Sequence, residues 1–357
     1  KRAARDLDVA IVEPSRDHWY QPLWTLVGAG VVDLKTTRKD EARFIPKGVA
    51  WIQDRVAELR PDAHEVVLEG GERVHDDEVV VALGIEYAWE LVDGLKEALG
   101  QGGVVSNYLP EGAEATWRAL SSFDGGRMVF TNPLGQVKCG GAPQKIMYLA
   151  EDHARRSGVR EKCRFIFCNA KGTLFSSPHY QTSLEQIIRE RGMELRLKTE
   201  LVELRPDQKQ GVFRHTETNE QTVETYDFIH VTPPMSAPDV LKQSPLGNEA
   251  GWVEVDKLTT RHVRFPNVFS CGDCSSLPTS KTGAAIRKQA PTLVQNLLAA
   301  RAGREPSVEY DGYTSCPLVT GYGKLILAEF DYSKEPKESF PFDQTEERYS
   351  MYALKAY

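Results

Sequence analysis

What most limits the fold of this chain is the alternation between residues 127 and 197. RMVFT (127–131), RFIF (164–167) and ELRL (194–197) are short runs rich in β-branched, aromatic and aliphatic residues, the composition of buried strands. Between them, 143–156 and 183–191 carry apolar residues at helical spacing. The order strand, helix, strand, helix, strand predicts a parallel sheet with helices on both faces, a doubly wound domain of roughly 110 residues.

A second alternating unit is scattered over the rest of the chain. DVAIVE (8–13) is an apolar strand ending on Glu13, and residues 1–6 before it read as the tail of a helix. Segments 49–56 and 65–68 read as hairpin strands with Pro61 and Asp62 in the turn, and 78–84 as a strand closing on Gly84. Far downstream, FPNVFSCGD (265–273) is a strand ending in Gly272-Asp273, followed by a helical pattern over 282–298. In a dinucleotide-binding unit the order is strand, G-x-G-x-x-G turn, helix, second strand, then an acidic side chain for the ribose hydroxyls. Glu13 holds that last place, but the glycine fingerprint does not occur, so the first strand is expected to be missing. A strand, a Gly-Asp and a helix N-terminus let a carboxylate hold a ribitol hydroxyl while helix amides face a flavin ring. The ordered set predicts an α/β fold of two Rossmann-like domains. Residues 1–110 with 236–305 would bind FAD, 111–235 would form the second domain, and 306–357 a C-terminal cap.

The loop after the first strand of the 127–197 unit is NPLGQVKCGGAP (132–143), with no G-x-G-x-x-G. A pyridine nucleotide needs that turn so that its pyrophosphate can approach the backbone. A cysteine stands there instead, which counts against NAD(P)H as electron donor. Cys139 has Lys138 beside it and a helix starting near Pro143, both of which favour thiolate over thiol. Cys316, in SCPLVTG (315–321), is the second cysteine in a Gly/Pro-rich loop, 177 positions away. Together they predict thiol redox chemistry beside a flavin. Cys163 and Cys168 flank a core strand and read as inert small hydrophobes. Cys271 and Cys274 have C-x-x-C spacing, open to a redox pair or half a zinc site. Their Gly-Asp already has a flavin role, and no second C-x-x-C accompanies them. The eight histidines include no H-x-x-x-H or H-E-x-x-H, so no metal site is expected.

A formal charge of −7 argues against a nucleic-acid surface. The longest apolar runs, such as 79–85, fall well short of the roughly 18 to 20 residues that span a bilayer. Six cysteines in 357 residues do not make the disulfide framework of a small secreted domain, which fits a reducing compartment. Trp19, Trp24 and Trp252 are open to either a quinone pocket or the core. The aromatic-rich stretch 309–357 is compatible with a cap near an interface.

WYQPLWTLVGAG (19–30), VKCGGAPQKIMY (137–148), HVTPPMS (230–236), LPTSKT (277–282) and YDGYTSCPLVTGY (310–322) closely resemble the sulfide:quinone oxidoreductases of the mitochondrial type. The resemblance covers nearly the whole chain. It implies an FAD enzyme that oxidises hydrogen sulfide, passes sulfane sulfur to glutathione or sulfite, and reduces ubiquinone. It further implies peripheral seating on the mitochondrial inner membrane, or on the plasma membrane were the source bacterial. Position by position it assigns Glu13, Gln21, Val56, Asp273, Lys281, Thr282, Gly283 and Ala284 to FAD. Cys139 and Cys316 become the catalytic pair: sulfide attacks a sulfur bridge between them, leaving a persulfide on Cys316 and a sulfur-bearing Cys139 for the flavin. The chain departs from the family at both ends, lacking the first strand and the amphipathic helices expected beyond Tyr357. The parent protein is therefore expected to be the enzyme, and this chain to bind FAD poorly. Two rival readings are a type II NADH:quinone reductase and a flavin-free, non-catalytic remnant. The first is opposed by the missing second glycine fingerprint and the paired cysteines.

Overall fold

The run Cys163–Asn169 is buried at every position but Arg164. A strand with no polar face must be covered on both sides, which is the condition of a parallel sheet between helix layers. In the computed structural model, which describes residues 7–356, it lies inside such a sheet. The expected helical tail over residues 1–6 falls outside the described residues.

The chain divides into two compact units. One combines Gln21–Lys35, Tyr87–Met235 and Thr314–Tyr357. Its sheet has five parallel strands in the order Val104–Val105, Phe228–His230, Gly126–Asn132, Cys163–Asn169, Glu194–Leu197. Helices Ala142–Arg156 and Pro178–Glu190 make the crossovers, as the alternation predicts. The second helix begins five residues before the expected Ser183, because Ser177 and Pro178 supply the entry: proline fits a first helical turn, where no N–H is needed. The 142–156 helix starts from Gly141, carries Pro143 in its first turn, and ends at Ser157 with His153, Arg155 and Arg156 facing its negative end. It packs against the antiparallel hairpin Thr314–Gly321/Lys324–Phe330, where Cys316 pairs with Ala328. Phe130, Tyr148, Phe165, Phe167, Leu318 and Phe330 belong to one buried cluster on this side, with Cys139 packed against it.

The other unit combines Lys1–Tyr20, Thr36–Glu86 and Ser236–Tyr313. It holds two parallel strand pairs, Ala10–Val12 with Ala50–Ile52 and Val79–Val81 with Val268–Ser270. The expected hairpin strand over 49–56 is corrected: 50–52 is a parallel strand, and Val56–Arg60 is the hairpin partner of Glu65–Leu68. A left-handed residue, His64 (φ 53°), closes that turn after Pro61–Ala63. The runs 49–52 and 56–60 serve different sheets, and the intervening Gln53-Asp54-Arg55 carries no glycine or proline to mark the break. Helix Gly283–Arg301 follows the Val268–Ser270 strand, capped by the Thr282 hydroxyl accepting from the Ala285 N–H at 3.1 Å.

Candidate functional site

After the 126–132 strand the chain runs through Gly135 and a buried Val137 to Cys139, whose backbone is left-handed (φ 58°). That conformation is unusual outside glycine and is held here by the turn between Cys139 O and Ala142 N–H, 2.7 Å apart. It starts the 142–156 helix immediately after the cysteine. Cys316 arrives from the 314–321 strand with only 1 % of its surface exposed. The two Sγ atoms lie 3.3 Å apart, and Lys145 Nζ lies 3.1 Å from Cys139 Sγ.

This geometry sets the protonation pattern. The hydrogen bond from Cys316 holds the Cys139 thiol well below the ordinary range; burial opposes this, and the Lys145 ammonium reinforces it. Cys316 moves the other way, raised by its hydrogen bond to Cys139, by burial and by the Cys139 charge. One thiolate shared by two sulfurs, beside a fixed ammonium, is a prepared nucleophile. Burial works against the charge on Lys145, which is 4 % exposed, but the two sulfurs overrule it and raise its pKa. Half-buried Lys355, on the helix Tyr349–Ala356, donates to the Pro22 carbonyl at 3.0 Å. Burial and then Lys145 lower its pKa to about 8, partly offset by the two cysteines. The Tyr108 phenol is pushed well above its usual value, first by burial and then by Cys139, and stays protonated.

Lys138, the neighbour in sequence, does not serve Cys139 in this way. Its ammonium bonds the Gln21 side-chain oxygen and lies 4.5 Å from the Tyr87 ring centroid. The cation that reaches the sulfur comes from the helix six residues on.

Seven of the eight expected FAD residues lie in the unit of the two strand pairs, and Gln21 lies in the other. Glu13 follows the Ala10–Val12 strand directly, its N–H bonded to Ile52 O at 3.1 Å and its carboxylate accepting from the Ser15 N–H at 2.7 Å. Val56 opens the 56–60 strand opposite Leu68. Asp273, Lys281, Thr282, Ala285 and Gln289 line a small hollow at the start of the 283–301 helix. Buried Lys281 is tied to the carbonyls of Asp273 and Ser275 and lies 4.0 Å from the Trp252 ring centroid; burial lowers its pKa to about 8. Around a Cβ placed on Gly283 there is nothing within 4 Å. Trp24 is core, 5 % exposed. Cys271 and Cys274 are buried in the same unit, and among the described residues no cluster of His, Cys, Asp and Glu is placed to hold a metal.

No family model matches the chain. The mitochondrial sulfide:quinone oxidoreductase of Mus musculus is 49 % identical over 357 residues, all of this chain and 79 % of that protein. That of Dictyostelium discoideum is 47 % identical over 98 % of this chain and 77 % of its own length. The chain belongs to the sulfide:quinone oxidoreductase family. The crystal structure of the sulfide:quinone oxidoreductase from Aquifex aeolicus superimposes with a TM-score of 0.82 over 99 % of this chain and 85 % of that one, at 16 % identity. This likeness shows the two-domain fold. An NADH-bound structure of NDH2 from Plasmodium falciparum aligns with a TM-score of 0.57 at 10 % identity, which likewise bears on the fold alone.

In this sulfide:quinone oxidoreductase chain the structure brings Cys139 and Cys316 together across 177 positions. It also adds groups that reasoning from sequence did not single out: Lys145, Lys355, Tyr108 and Gly141. Lys145 carried a signal, since it falls in the first turn of a helix whose start was expected at Pro143. Lys355 and Tyr108 carried none, because only the fold brings them to the pair.

Proposed function

We propose that this chain oxidises hydrogen sulfide at the Cys139–Cys316 pair and passes the electron pair through FAD to a quinone. The observation that carries the reading is the 3.3 Å gap between two sulfurs beside a buried ammonium. A disulfide would close the gap to about 2.05 Å. Two S–S bonds of about 2.05 Å span 3.3 Å when they meet at about 107°, a near-tetrahedral angle, so one bridging sulfur atom fits without moving either cysteine.

Hydrosulfide attacks the Cys316 sulfur of such a bridge. A new S–S bond forms there, the bond from Cys316 to the bridging sulfur breaks, and the electron pair leaves with the sulfur now carried by Cys139. That leaving anion is the species Lys145 is placed to stabilise, following the logic of thiol–disulfide exchange. The persulfide on Cys316 then goes to a small acceptor, for which glutathione and sulfite fit by chemistry.

The residues fit FAD. The 283–301 helix opens with N–H groups that have no acceptor within the helix, beside an unobstructed Gly283. Its positive end suits an electron-rich acceptor edge. Glu13 and Asp273 supply carboxylates for hydroxyls, and Val56, Lys281, Thr282 and Ala284 of the same unit complete the set. FAD, when bound, supplies the two-electron acceptor that thiol chemistry alone lacks.

Ubiquinone as the oxidant, and peripheral seating on the mitochondrial inner membrane, belong to the same proposal. In support, Tyr349 and Leu354 of the 349–356 helix are 67 % and 68 % exposed. Among the described residues no helix is long and apolar enough to cross a membrane. The test is anaerobic addition of sulfide to the FAD-loaded protein. Bleaching of the visible flavin band that disappears in Cys139→Ser supports the reading; an FAD-loaded protein that sulfide leaves yellow overturns it.

A further inference from the structure

Gly141 has ordinary right-handed backbone angles (φ −89°, ψ −10°), which any residue adopts. Conformation therefore does not call for glycine here; space does. A Cβ on residue 141 would lie 2.6 Å from Cys316 Sγ and 2.3 Å from Leu318 Cδ2, both closer than real Cβ contacts come. The Cys316 sulfur thus rests on the bare Cα of Gly141. The Gly141 N–H stands at the start of the 142–156 helix, whose positive end favours a thiolate on the same sulfur. The charged and titratable groups acting on Cys316 are Cys139 and Lys145. Lys355 and the Tyr108 phenol feel Cys316 in turn.

We infer that Gly141 is a positioning residue for the second half of the reaction: its missing side chain and its N–H seat the Cys316 sulfur as the leaving group when sulfane sulfur is handed on. The inference rests on the sulfide-oxidising reading above. In the step, an acceptor thiolate attacks the outer sulfur of the Cys316 persulfide. The bond from acceptor to outer sulfur forms, the bond from outer sulfur to Cys316 Sγ breaks, and the electron pair stays on Cys316. The proton on the outer sulfur travels with it, so charge and electrons balance with no added oxidant. Leaving is faster the less basic the departing thiolate, and the Gly141 N–H and the Lys145 ammonium are the donors that lower its basicity. In the reduced pair both act on a charge that sits on Cys139. When an acceptor takes the outer sulfur the charge develops on Cys316, and the same two groups face it.

The experiment loads the full chain with sulfur from inorganic polysulfide, so that it does not depend on turnover, and then adds cyanide. Thiocyanate release and the sulfur content of the Cys316 peptide are followed in the wild type, Gly141→Ala, Leu318→Ala and the double variant. Release from Cys316 is expected to fall about tenfold in Gly141→Ala, the scale of moving a charge off a partly buried helix N-terminus when a Cβ displaces the sulfur. The pH midpoint for alkylation of Cys316 should move upward with it. Adding Leu318→Ala removes the carbon clash but not the sulfur clash, so the double variant should regain melting temperature relative to Gly141→Ala and still release sulfur slowly. Wild-type release in Gly141→Ala, or full recovery in the double variant, overturns the inference, the latter by assigning the glycine to Leu318 alone. Failure of the functional reading would be seen elsewhere, as an FAD-loaded wild type that sulfide does not bleach.

Discussion

The chain carries two cysteine pairs, one in each unit, and only one is built to react. Cys271 and Cys274 have the shorter spacing and the more familiar redox signature. Yet burial, then Cys274, pushes Cys271 up to about 11, and burial raises Cys274 as well. Cys274 Sγ faces the carbonyls of Val81 and Cys271 at 3.5 and 3.7 Å, oxygens that suit a thiol and repel a thiolate, and the Ser270 hydroxyl at 3.6 Å favours the thiolate too weakly to offset burial. The nearby cation, Lys281, bonds the Asp273 and Ser275 carbonyls instead. Cys139 and Cys316 have an ammonium on the sulfur and an N–H at a helix start. A cysteine pair is made reactive by where its counter-charge points, more than by how close its members stand in sequence.

Replacing one member of each pair should give the largest contrast. Cys139→Ser and Cys316→Ser are each expected to cut sulfide-dependent quinone reduction by at least about a thousandfold, since each removes a reacting atom. Cys271→Ser and Cys274→Ser should lower the melting temperature and leave the rate per folded molecule within about twofold, because each puts a hydroxyl into a core site. A large loss of rate in either of the latter would erase the distinction between the pairs.

Direct labelling sharpens the same contrast. In the reduced wild type at pH 7, iodoacetamide should modify Cys139 at least about a thousandfold faster than Cys271, since one thiol is held well below its ordinary range and the other titrates near 11. Peptide mass spectrometry over time reads both rates in one sample. Comparable rates would mean that the fields around the two pairs do not differ as the geometry says.

The pair itself was legible in the sequence, because Cys139 replaces a nucleotide-binding turn and Cys316 stands in an equally distinctive motif, although that motif is the Thr314–Gly321 strand and not the expected loop. The sheet of the 127–197 unit was legible for a similar reason: strands such as Glu194–Leu197 fall where the apolar runs do. What was not legible was direction. Adjacency suggests Lys138 as the group that activates Cys139, but its ammonium is held by Gln21 and lies over Tyr87. Segment 49–56 read as one strand because hydropathy does not record which sheet a strand joins. Gly141 looked like one more loop glycine until Cys316 was placed against it.

The Lys138 error gives the next test. Lys145→Met should raise the Cys139 pKa and slow its labelling at pH 7 by about tenfold or more, the loss expected for an ammonium hydrogen-bonded to a thiolate in a buried site. Lys138→Met should leave the labelling rate within about twofold, since its ammonium is held by Gln21 and Tyr87. If the two variants changed places, adjacency in sequence would be the better guide after all.

Lys355 offers the smallest effect and a distinctive pH dependence. Its ammonium contributes to the field on Cys139 after Cys316 and Lys145, and its own pKa is lowered to about 8, mainly by burial. Below that value it is charged and favours the thiolate; above it the charge is gone. Lys355→Met should therefore slow Cys139 labelling by less than about threefold at pH 7, and the difference from wild type should vanish by about pH 9. Stability runs the opposite way. The unfolded lysine titrates near 10.4, so between about 8 and 10.4 the unfolded chain binds more proton than the folded one, and stability rises with pH across that window. Wild type should gain stability relative to Lys355→Met as pH goes from 8 to 10, with no divergence between pH 6 and 7.5. A labelling difference that persisted to pH 10, or equal pH profiles of melting temperature, would place the Lys355 ammonium in water and leave Lys145 as the lysine that sets the charge of the pair.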